Sequence, residues 1–307
     1  MAEIHTLITK GGRQAALSLA DASIVDIAAG VLGDERGDLG YTYSGLCLTA
    51  LPHRRIRDDL VWERSGHKVK LVVEPGRLQV GKSLKLYGVP YGARARMILI
   101  YLITQAVRTN SREIALGRSM RAWLEAMGVS VGGETAKAFR EQSMRIAACS
   151  MKFFWETENG GTGFDKGGIV RRGLVFADSI DTGDQPRLFD DTVVLDEVFY
   201  RAAREHPVPL QEAAVRYLRD RSMSLDIYVW LAYRLHSLSR PTPVSWAAIH
   251  TQFGGGFKEP RFFRRPFLEA LEAATAAYPD ARVEVAADGS GLLLHPSRPP
   301  VGKLRGA

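Results

Sequence analysis

The chain has 307 residues, and its 41 lysines and arginines against 34 aspartates and glutamates give a formal net charge of +7. This length accommodates two ordinary domains or one large one. It contains no run of about 18 uncharged apolar residues and no basic-then-apolar N-terminus, so we expect neither a transmembrane helix nor a secretory signal. Two cysteines are too few for a disulfide framework or a four-cysteine zinc site. We therefore expect a soluble, cytoplasmic protein.

Positive charge is unevenly distributed along the chain. The net charge is −3 over residues 1–52, +7 over 53–96, +4 over 97–172, −4 over 173–238 and +3 over 239–307. Ordinary surface variation can produce such a pattern. It is also the pattern of two modules that each present a basic face to a polyanion.

In the first half of the chain, apolar periodicity is weak at the N-terminus and clear in the residues that follow. Residues 1–50 have weak apolar periodicity, which predicts a flexible N-terminal arm. The pattern that follows predicts strands at 68–74 and 83–87, a helix at 92–107, a short strand at 113–116, helices at 120–127 and 134–151, and a hairpin formed by 153–156 and 169–176 around a Gly-rich tip. Helix, strand, helix, helix and hairpin is the element order of a winged helix.

The same order recurs near the C-terminus. The pattern predicts a helix at 225–238, a strand at Pro243-Val244, a helix capped by Ser245, a helix at 261–277 and a hairpin around Asp288-Gly289. We therefore expect an α+β, mostly helical fold with two tandem winged-helix domains. The expected division is a flexible arm at 1–50, a first winged-helix domain at 51–181, a second at 182–301 and a tail at 302–307.

One motif suggests a nucleotide-binding enzyme. Residues 76–83 match the GxxxxGK[ST] pattern of phosphate-binding loops. Such a loop needs a helix directly after its Lys-Ser, because the N-terminal amides of that helix hold the phosphates. Here Ser83 precedes an extended run that is broken by Gly88 and Pro90. A turn between strands is therefore the better interpretation.

Other catalytic or metal-binding patterns are missing from the sequence. The seven histidines form no His-x-His or His-Glu-x-x-His motif and no pairing with cysteine at ligand spacing. Cys149 follows two alanines in a predicted helix and is most simply a small core residue. We expect no enzyme activity, no catalytic residues, no bound metal and no cofactor.

Basic residues on the two predicted recognition helices point to DNA. In helix-turn-helix proteins this helix enters the major groove, where arginine reads guanine, while lysine mostly contacts phosphate. Each charge could instead be a solvated surface group. The residues predicted to bind DNA are Lys137, Arg140 and Arg145 on the first helix, Lys166, Arg171 and Arg172 on or beside its wing, and Lys258, Arg261, Arg264 and Arg265 at the start of the second helix. Pro266 should make the second helix start late or bend.

Several longer runs resemble the plasmid-encoded RepA replication initiators. They are Tyr-Gly-Val-Pro-Tyr-Gly at 87–92 with Arg96, the runs at 104–109, 112–117, 207–210 and 225–235, Tyr278-Pro279, and the closing run at 296–301. Together they span roughly residues 51–301.

The resemblance implies a protein that binds repeated sites in double-stranded plasmid origin DNA, helps to open the duplex, and recruits host initiator and replicative helicase proteins. Related initiators also form homodimers and repress their own promoters. No membrane partner is implied. Two alternatives stay open, namely a winged-helix transcriptional repressor without an initiator role and an ATPase that uses residues 76–83.

Overall fold

The fold consists of two compact units, and the sequence of one is inserted into the sequence of the other. The computed structural model describes residues 2–116, 120–129, 131–157, 159–173 and 192–301. Met1–Ala50 and Val208–Ala307 form one unit, here called the discontinuous unit, and Leu51–Pro207 form the central unit. The secondary structure is mixed α+β, as predicted. The expected boundary at 181/182 and the expected tail at 302–307 lie outside the described residues.

The N-terminal segment is folded, so the prediction of a flexible arm was wrong. It contains α1 (Ala2–Ala16), α2 (Ala22–Leu32), β1 (Leu39–Tyr43) and α3 (Ser44–Leu48). Within α2, Val25 and Ala28 are completely buried. A Cβ on Gly30 would collide with the ring of Tyr217, so this helix needs a small residue there. The weak apolar pattern thus reflects close packing of small side chains rather than disorder.

Within its described residues, the central unit combines four helices with several small sheets. Its elements are β2 (Trp62–Ser65), β3 (Val69–Glu74), β4 (Gly76–Val80), β5 (Ser83–Tyr87), α4 (Gly92–Thr109), β6 (Glu113–Ala115), α5 (Met120–Ala126), α6 (Gly133–Ala148), β7 (Ser150–Glu156), β8 (Thr162–Gly168), β9 (Val170–Arg172), β10 (Thr192–Leu195) and α7 (Glu197–Glu205). The sheet orders are β2-β3-β7-β8, β6-β10-β9 and β4-β5. Fully buried Ile98 and Ile103 of α4 and Phe139 and Ile146 of α6 belong to its core.

The hairpin of the central unit differs from the predicted one. Its second strand is β8, which pairs with β7 through Phe154 and Phe164, whereas the sequence placed that strand at 169–176. The stretch expected to be a Gly-rich tip is therefore itself a strand. Gly163 fits there because its bare backbone lies against the indole of Trp155, which would collide with a Cβ. Glycine in this strand accommodates a large neighbour, which composition alone does not reveal.

The C-terminal segment of the discontinuous unit follows the predicted order of elements closely. It contains β11 (Pro207–Gln211), α8 (Glu212–Tyr217), α9 (Ser222–Arg234), a 3₁₀ turn (Leu235–Ser237), β12 (Thr242–Ser245), α10 (Trp246–Phe253), α11 (Pro260–Ala276), β13 (Val283–Val285) and β14 (Gly291–Leu294). The last three strands form an antiparallel sheet of order β12-β14-β13. Ser245 caps α10 as predicted, because its hydroxyl accepts a 3.2 Å hydrogen bond from the amide of Ala248.

Aromatic packing fixes α11 in this unit. Phe263 and Phe267 of α11 are almost fully buried, with ring centroids 5.2 Å apart, and Phe267 lies 5.6 Å from Phe253 of α10. Large aromatic side chains bury much apolar area, so these contacts are a main source of stability for the helix pair. The opposite side of α11 is left exposed, and it carries the basic residues.

Candidate nucleic-acid interface

The exposed side of α11 presents three arginines in its first two turns. Arg261, Arg264 and Arg265 are spaced i, i+3 and i+4, which places their side chains on one side of a helix. All three are exposed, and so is Lys258 in the loop that precedes the helix. The structure therefore brings together the four residues that the sequence predicts for the second module.

The side chain of Arg264, on α11, lies against Trp246 near the turn of the β13–β14 hairpin. Its guanidinium lies 4.8 Å from the ring centroid of Trp246, at the start of α10. The Trp246 indole in turn donates a 3.0 Å hydrogen bond to the carbonyl of Gly289 in the hairpin turn. Gly289 has φ of +71°, which is the conformation expected from the Asp-Gly turn signal. A cation stacked on an indole is partly preorganised for binding an anion.

Two of the arginines form ion pairs at the surface. Arg261 lies 2.8 Å from Glu259, and Arg265 lies 3.0 Å from Glu269. Such exposed pairs contribute little stability because water screens them and flexible side chains must be ordered. The pairs can therefore be exchanged for phosphate or base contacts at a small free-energy cost.

Pro266 lies inside α11 without delaying its start. The helix begins at Pro260, where the missing amide costs nothing, and it continues through Pro266 to Ala276. The carbonyl of Phe262 has no amide at position 266 to bind within the helix. Phe262 is 58% exposed, so water has access to that part of the helix. The predicted late start of the helix is therefore not found.

The corresponding helix of the central unit exposes much less charge. On α6, Lys137 is exposed, Arg140 is half-buried and Arg145 is 2% exposed. A side chain buried to that extent cannot contact DNA from this position. The prediction that Arg145 binds DNA is therefore corrected, because its guanidinium is used inside the protein.

Arg145 is the centre of a cluster of charges, here called the Arg145 cluster. Its guanidinium lies 2.8 Å from the carboxylate of Asp58 and 2.9 Å from that of Glu141, and it donates a 3.3 Å hydrogen bond to the Val89 carbonyl. Arg55 completes the cluster 2.8 Å from Asp58. The pair formed with Glu141 has the i, i+4 spacing of helix ion pairs, which is a signal visible in the sequence.

The Arg145 cluster makes the free energy of unfolding depend on pH. Burial by itself would raise the pKa of Asp58, but hydrogen bonds from Arg55 and Arg145 hold that pKa below its ordinary value of 3.8. A folded-state pKa below the unfolded value means that the ionised carboxylate stabilises the fold above about pH 4. This stabilisation is lost as the pH falls through the lowered pKa.

We expect Asp58→Asn to lower the free energy of unfolding at neutral pH and to flatten its decline below about pH 4. Urea unfolding at a series of pH values measures both effects. Asp59→Asn is the matched control, because the Asp59 side chain is 60% exposed and its ion pair among the described residues is a surface pair with Arg57. An equally steep decline in the parent chain and in Asp58→Asn would contradict the assignment.

The three residues predicted for the wing are exposed but lie on different sheets. Lys166 is on β8, opposite Lys152, whereas Arg171 and Arg172 are on β9 in the sheet with β6 and β10. Arg172 lies 3.7 Å from Glu113 of β6. The hairpin also carries Phe164, which is 60% exposed and was not predicted as a site residue.

The phosphate-loop motif forms a hairpin rather than a nucleotide site. Residues 76–83 are β4, a two-residue turn and the start of β5, with Val80 opposite Ser83. Gly81 in the turn has φ of +57°, which explains the glycine in the pattern. No helix begins directly after Ser83, because Ser83–Tyr87 is β5 and its amides are used in strand pairing with β4. The interpretation of this motif as a strand turn is confirmed.

The described residues contain a buried cysteine thiol and no cluster of metal-binding side chains. Cys149 is buried, and burial raises the pKa of its thiol to about 12, which keeps it protonated at neutral pH. Among the described residues, no group of three His, Cys, Asp or Glu side chains could hold a metal ion. Within the same residues, no helix is long and apolar enough to span a lipid bilayer.

Comparison with protein families identifies the chain. The model of the family described as plasmid encoded RepA protein matches residues 89–247, which is more than half of the chain. The chain belongs to this family. The resemblance to RepA proteins inferred from the sequence is therefore confirmed.

Residues in the runs that resemble RepA proteins make contacts within each unit. In the central unit, the amide of Tyr91 donates a 2.9 Å hydrogen bond to Gln142 of α6, and the Tyr91 ring lies 5.1 Å below the Arg145 guanidinium. In the discontinuous unit, the Tyr278 hydroxyl donates to the carbonyl of Arg298, and the Tyr278 ring packs edge-on against Tyr228. These runs of the RepA chain thus have structural roles.

Two solved structures are similar in part to this RepA chain. A crystal structure of domains 2 and 3 of RctB is 14% identical, with a TM-score of 0.49, and the match covers 76% of this chain and 84% of that chain. A second RctB structure of domains 2–3 is 12% identical, with a TM-score of 0.47 and coverage of 80% and 92%. A comparison with curated proteins found no match.

Proposed function

We propose that this RepA protein is a plasmid replication initiator that binds double-stranded origin DNA sequence-specifically, with α11 as its main recognition helix. The observation that carries the proposal is the exposed row of Arg261, Arg264 and Arg265 beside the β13–β14 hairpin. Membership of the plasmid-encoded RepA family supports the initiator role.

The arrangement around α11 fits a winged helix. The elements α9, β12, α10 and α11 are followed by the β13–β14 hairpin, and the strand order is β12-β14-β13. The 17 residues of α11 make a rod of about 25 Å, which fits one stretch of major groove. Arginines in its first turns can then meet guanine edges, while Lys258 contacts phosphate.

The central unit is proposed to supply a second, weaker contact. It has the same element order, with α4, β6, α5 and α6 followed by the β7–β8 hairpin, and we assign it as the other winged-helix module. Its hairpin is extended by β3 and β2 into a four-stranded sheet, and β6 pairs with β10. With Arg145 buried, the exposed cations Lys137, Lys166 and Arg171 suit phosphate better than base edges.

The wider role rests on the family. By analogy with plasmid RepA initiators, bound protein would help to open the origin duplex and would recruit the host initiator and the replicative helicase in the cytoplasm. Homodimers that repress the protein's own promoter are part of the same proposal. Each of these roles requires DNA binding, so the interface is tested first.

A plasmid-maintenance assay separates an initiator from a transcriptional repressor. We expect the intact protein to support replication of a plasmid that carries its cognate origin and has no other replicon. The variant Arg264→Gln should reduce plasmid copy number and origin binding together. If the protein binds the origin and silences a promoter there but never sustains the plasmid, the repressor alternative is correct.

Removing the cations near the wing should change salt dependence but not sequence preference. We expect a variant with Gln at three positions to show a shallower slope of log affinity against log salt, by about 0.9 for each lost phosphate contact. The three replaced residues are Lys166, Arg171 and Arg172. Fluorescence anisotropy with origin and random duplexes measures the slope and the preference. A variant of Arg57, Lys82 and Arg121, which are exposed on other elements of the unit, is the control. An unchanged slope would show that the wing does not contact the backbone.

A further inference from the structure

A large apolar side chain, that of Phe262, lies among the charges on the exposed side of α11. Phe262 is 58% exposed, whereas its neighbour Phe263 is 1% exposed. The Phe263 ring packs against Phe257 and Phe267, with ring centroids 5.4 and 5.2 Å apart. The aromatic packing of the discontinuous unit therefore uses Phe263 and leaves much of the Phe262 ring in solvent.

Phe262 lies beside two of the arginines that are proposed to read DNA. It comes three residues before Arg265, a spacing that puts two side chains on the same side of a helix. The guanidinium of Arg261 lies 4.7 Å from the centroid of the Phe262 ring. This cation–π contact orders the ring before any partner binds, which lowers the entropy cost of binding. Phe262 is thus placed to enter the same groove as the arginines.

Binding of α11 to DNA would remove the Phe262 ring from water. A single exposed apolar residue is common on a protein surface and needs no function where it stays hydrated. In the proposed interface, however, the ring would be pressed against a base edge. Contact with an amino or carbonyl group would leave that polar group without a hydrogen bond, which costs free energy. The ring therefore needs an apolar group on the DNA.

Among the four unmodified bases, thymine is the one that presents an apolar group in the major groove, its C5-methyl. We propose that Phe262 reads the C5-methyl group of a thymine in the origin site. This role of Phe262 rests on the proposed function, because it requires α11 to be the recognition helix. It adds a thymine-specific contact to the guanine contacts of the neighbouring arginines.

Replacement of single bases in the bound duplex tests the contact. The intact chain first selects duplexes from a synthetic random-sequence library. Fluorescence anisotropy then measures its affinity for the selected site and for copies in which one thymine is replaced by uracil. Uracil keeps the hydrogen-bonding groups of thymine and lacks the methyl group. We expect uracil at one position to weaken binding about fourfold, which corresponds to about 0.8 kcal/mol for one buried methyl-sized group.

The variant Phe262→Ala should remove this dependence on the methyl group. We expect it to bind the thymine site about fourfold more weakly than the parent chain does, and to bind the thymine and uracil sites equally. Leu19→Ala is the matched control, because Leu19 is 50% exposed on the N-terminal segment of the same unit. The control should keep the affinity of the parent chain and its sensitivity to uracil. The measurement of uracil sensitivity in the parent chain does not depend on the folding of any variant.

A 5-methylcytosine carries the same methyl group in the same groove, so duplexes with 5-methylcytosine in place of one cytosine at a time are also measured. Tighter binding to one of these duplexes, without any effect of uracil, would overturn thymine as the source of the methyl group. Indifference of the parent chain to uracil at every thymine would overturn the role of Phe262, and so would an unchanged uracil sensitivity in Phe262→Ala. In each of these cases the chain still binds its site, so the proposed function stands. Failure to select any duplex would instead overturn the proposed function, and the role of Phe262 with it.

Discussion

Replacing Arg145 with methionine is expected to lower the free energy of unfolding by about 2–3 kcal/mol. The substitution keeps an unbranched side chain but removes the Arg145 donor from Asp58, Glu141 and the Val89 carbonyl, while Arg55 still pairs with Asp58. Removing one partner of a fully buried pair costs more than this. Here the side chains of Asp58 and Glu141 are 32% and 38% exposed, so water solvates the carboxylates that are left behind.

Urea unfolding followed by circular dichroism measures this loss. Arg140→Met is the matched control on the same helix, because Arg140 is half-buried and forms no ion pair within the described residues; we expect it to cost under about 1 kcal/mol. Equal losses in the two variants would show that the Arg145 cluster contributes nothing specific. DNA binding by folded Arg145→Met should match that of the parent chain.

Replacing Arg261, Arg264 and Arg265 together with glutamine should weaken binding to the cognate origin site about 100-fold or more. Each arginine that reads a guanine is worth about 1–3 kcal/mol, and each that contacts phosphate adds to the salt dependence. The fold should be retained, because the aromatic side of α11 is untouched and the lost ion pairs are exposed. Anisotropy on cognate and random duplexes at fixed salt separates the two kinds of contact.

The control for net charge is a variant in which glutamine replaces Lys10, Arg13 and Arg36. They are exposed on the N-terminal segment of the same unit, and their loss removes the same three charges. We expect this control to bind the cognate site within about threefold of the parent chain. Comparable weakening in both triple variants would mean that total charge, rather than the exposed face of α11, determines binding.

Local sequence signals predicted the region around α11 well. The Ser245 cap, the hairpin at Asp288-Gly289 and the spacing of Arg261, Arg264 and Arg265 depend on neighbours within a few residues. Such signals can be read from one sequence because turn and cap geometry have strong residue preferences. These local signals were sufficient to predict the candidate interface on α11.

The buried state of Arg145 could not be predicted in the same way. Glu141 is one turn away and visible, but Asp58 is 87 residues distant, and only the folded chain brings it within 2.8 Å. The same applies to α2, where Gly30 lies against the ring of Tyr217. Long-range contacts of this kind leave no periodic mark on either partner.

The insertion of the central unit into the discontinuous unit sets an order of events during synthesis. Leu51–Pro207 is one continuous stretch, and all of it emerges from the ribosome before the partners of Met1–Ala50 exist. At a synthesis rate of about 5–20 residues per second, Val208–Ala307 begins to be made on the order of ten seconds or more after Met1–Ala50 is complete. During that interval α2 displays Val25 and Ala28 without their final neighbours. Newly made chains therefore expose apolar side chains of α2 that the folded protein buries.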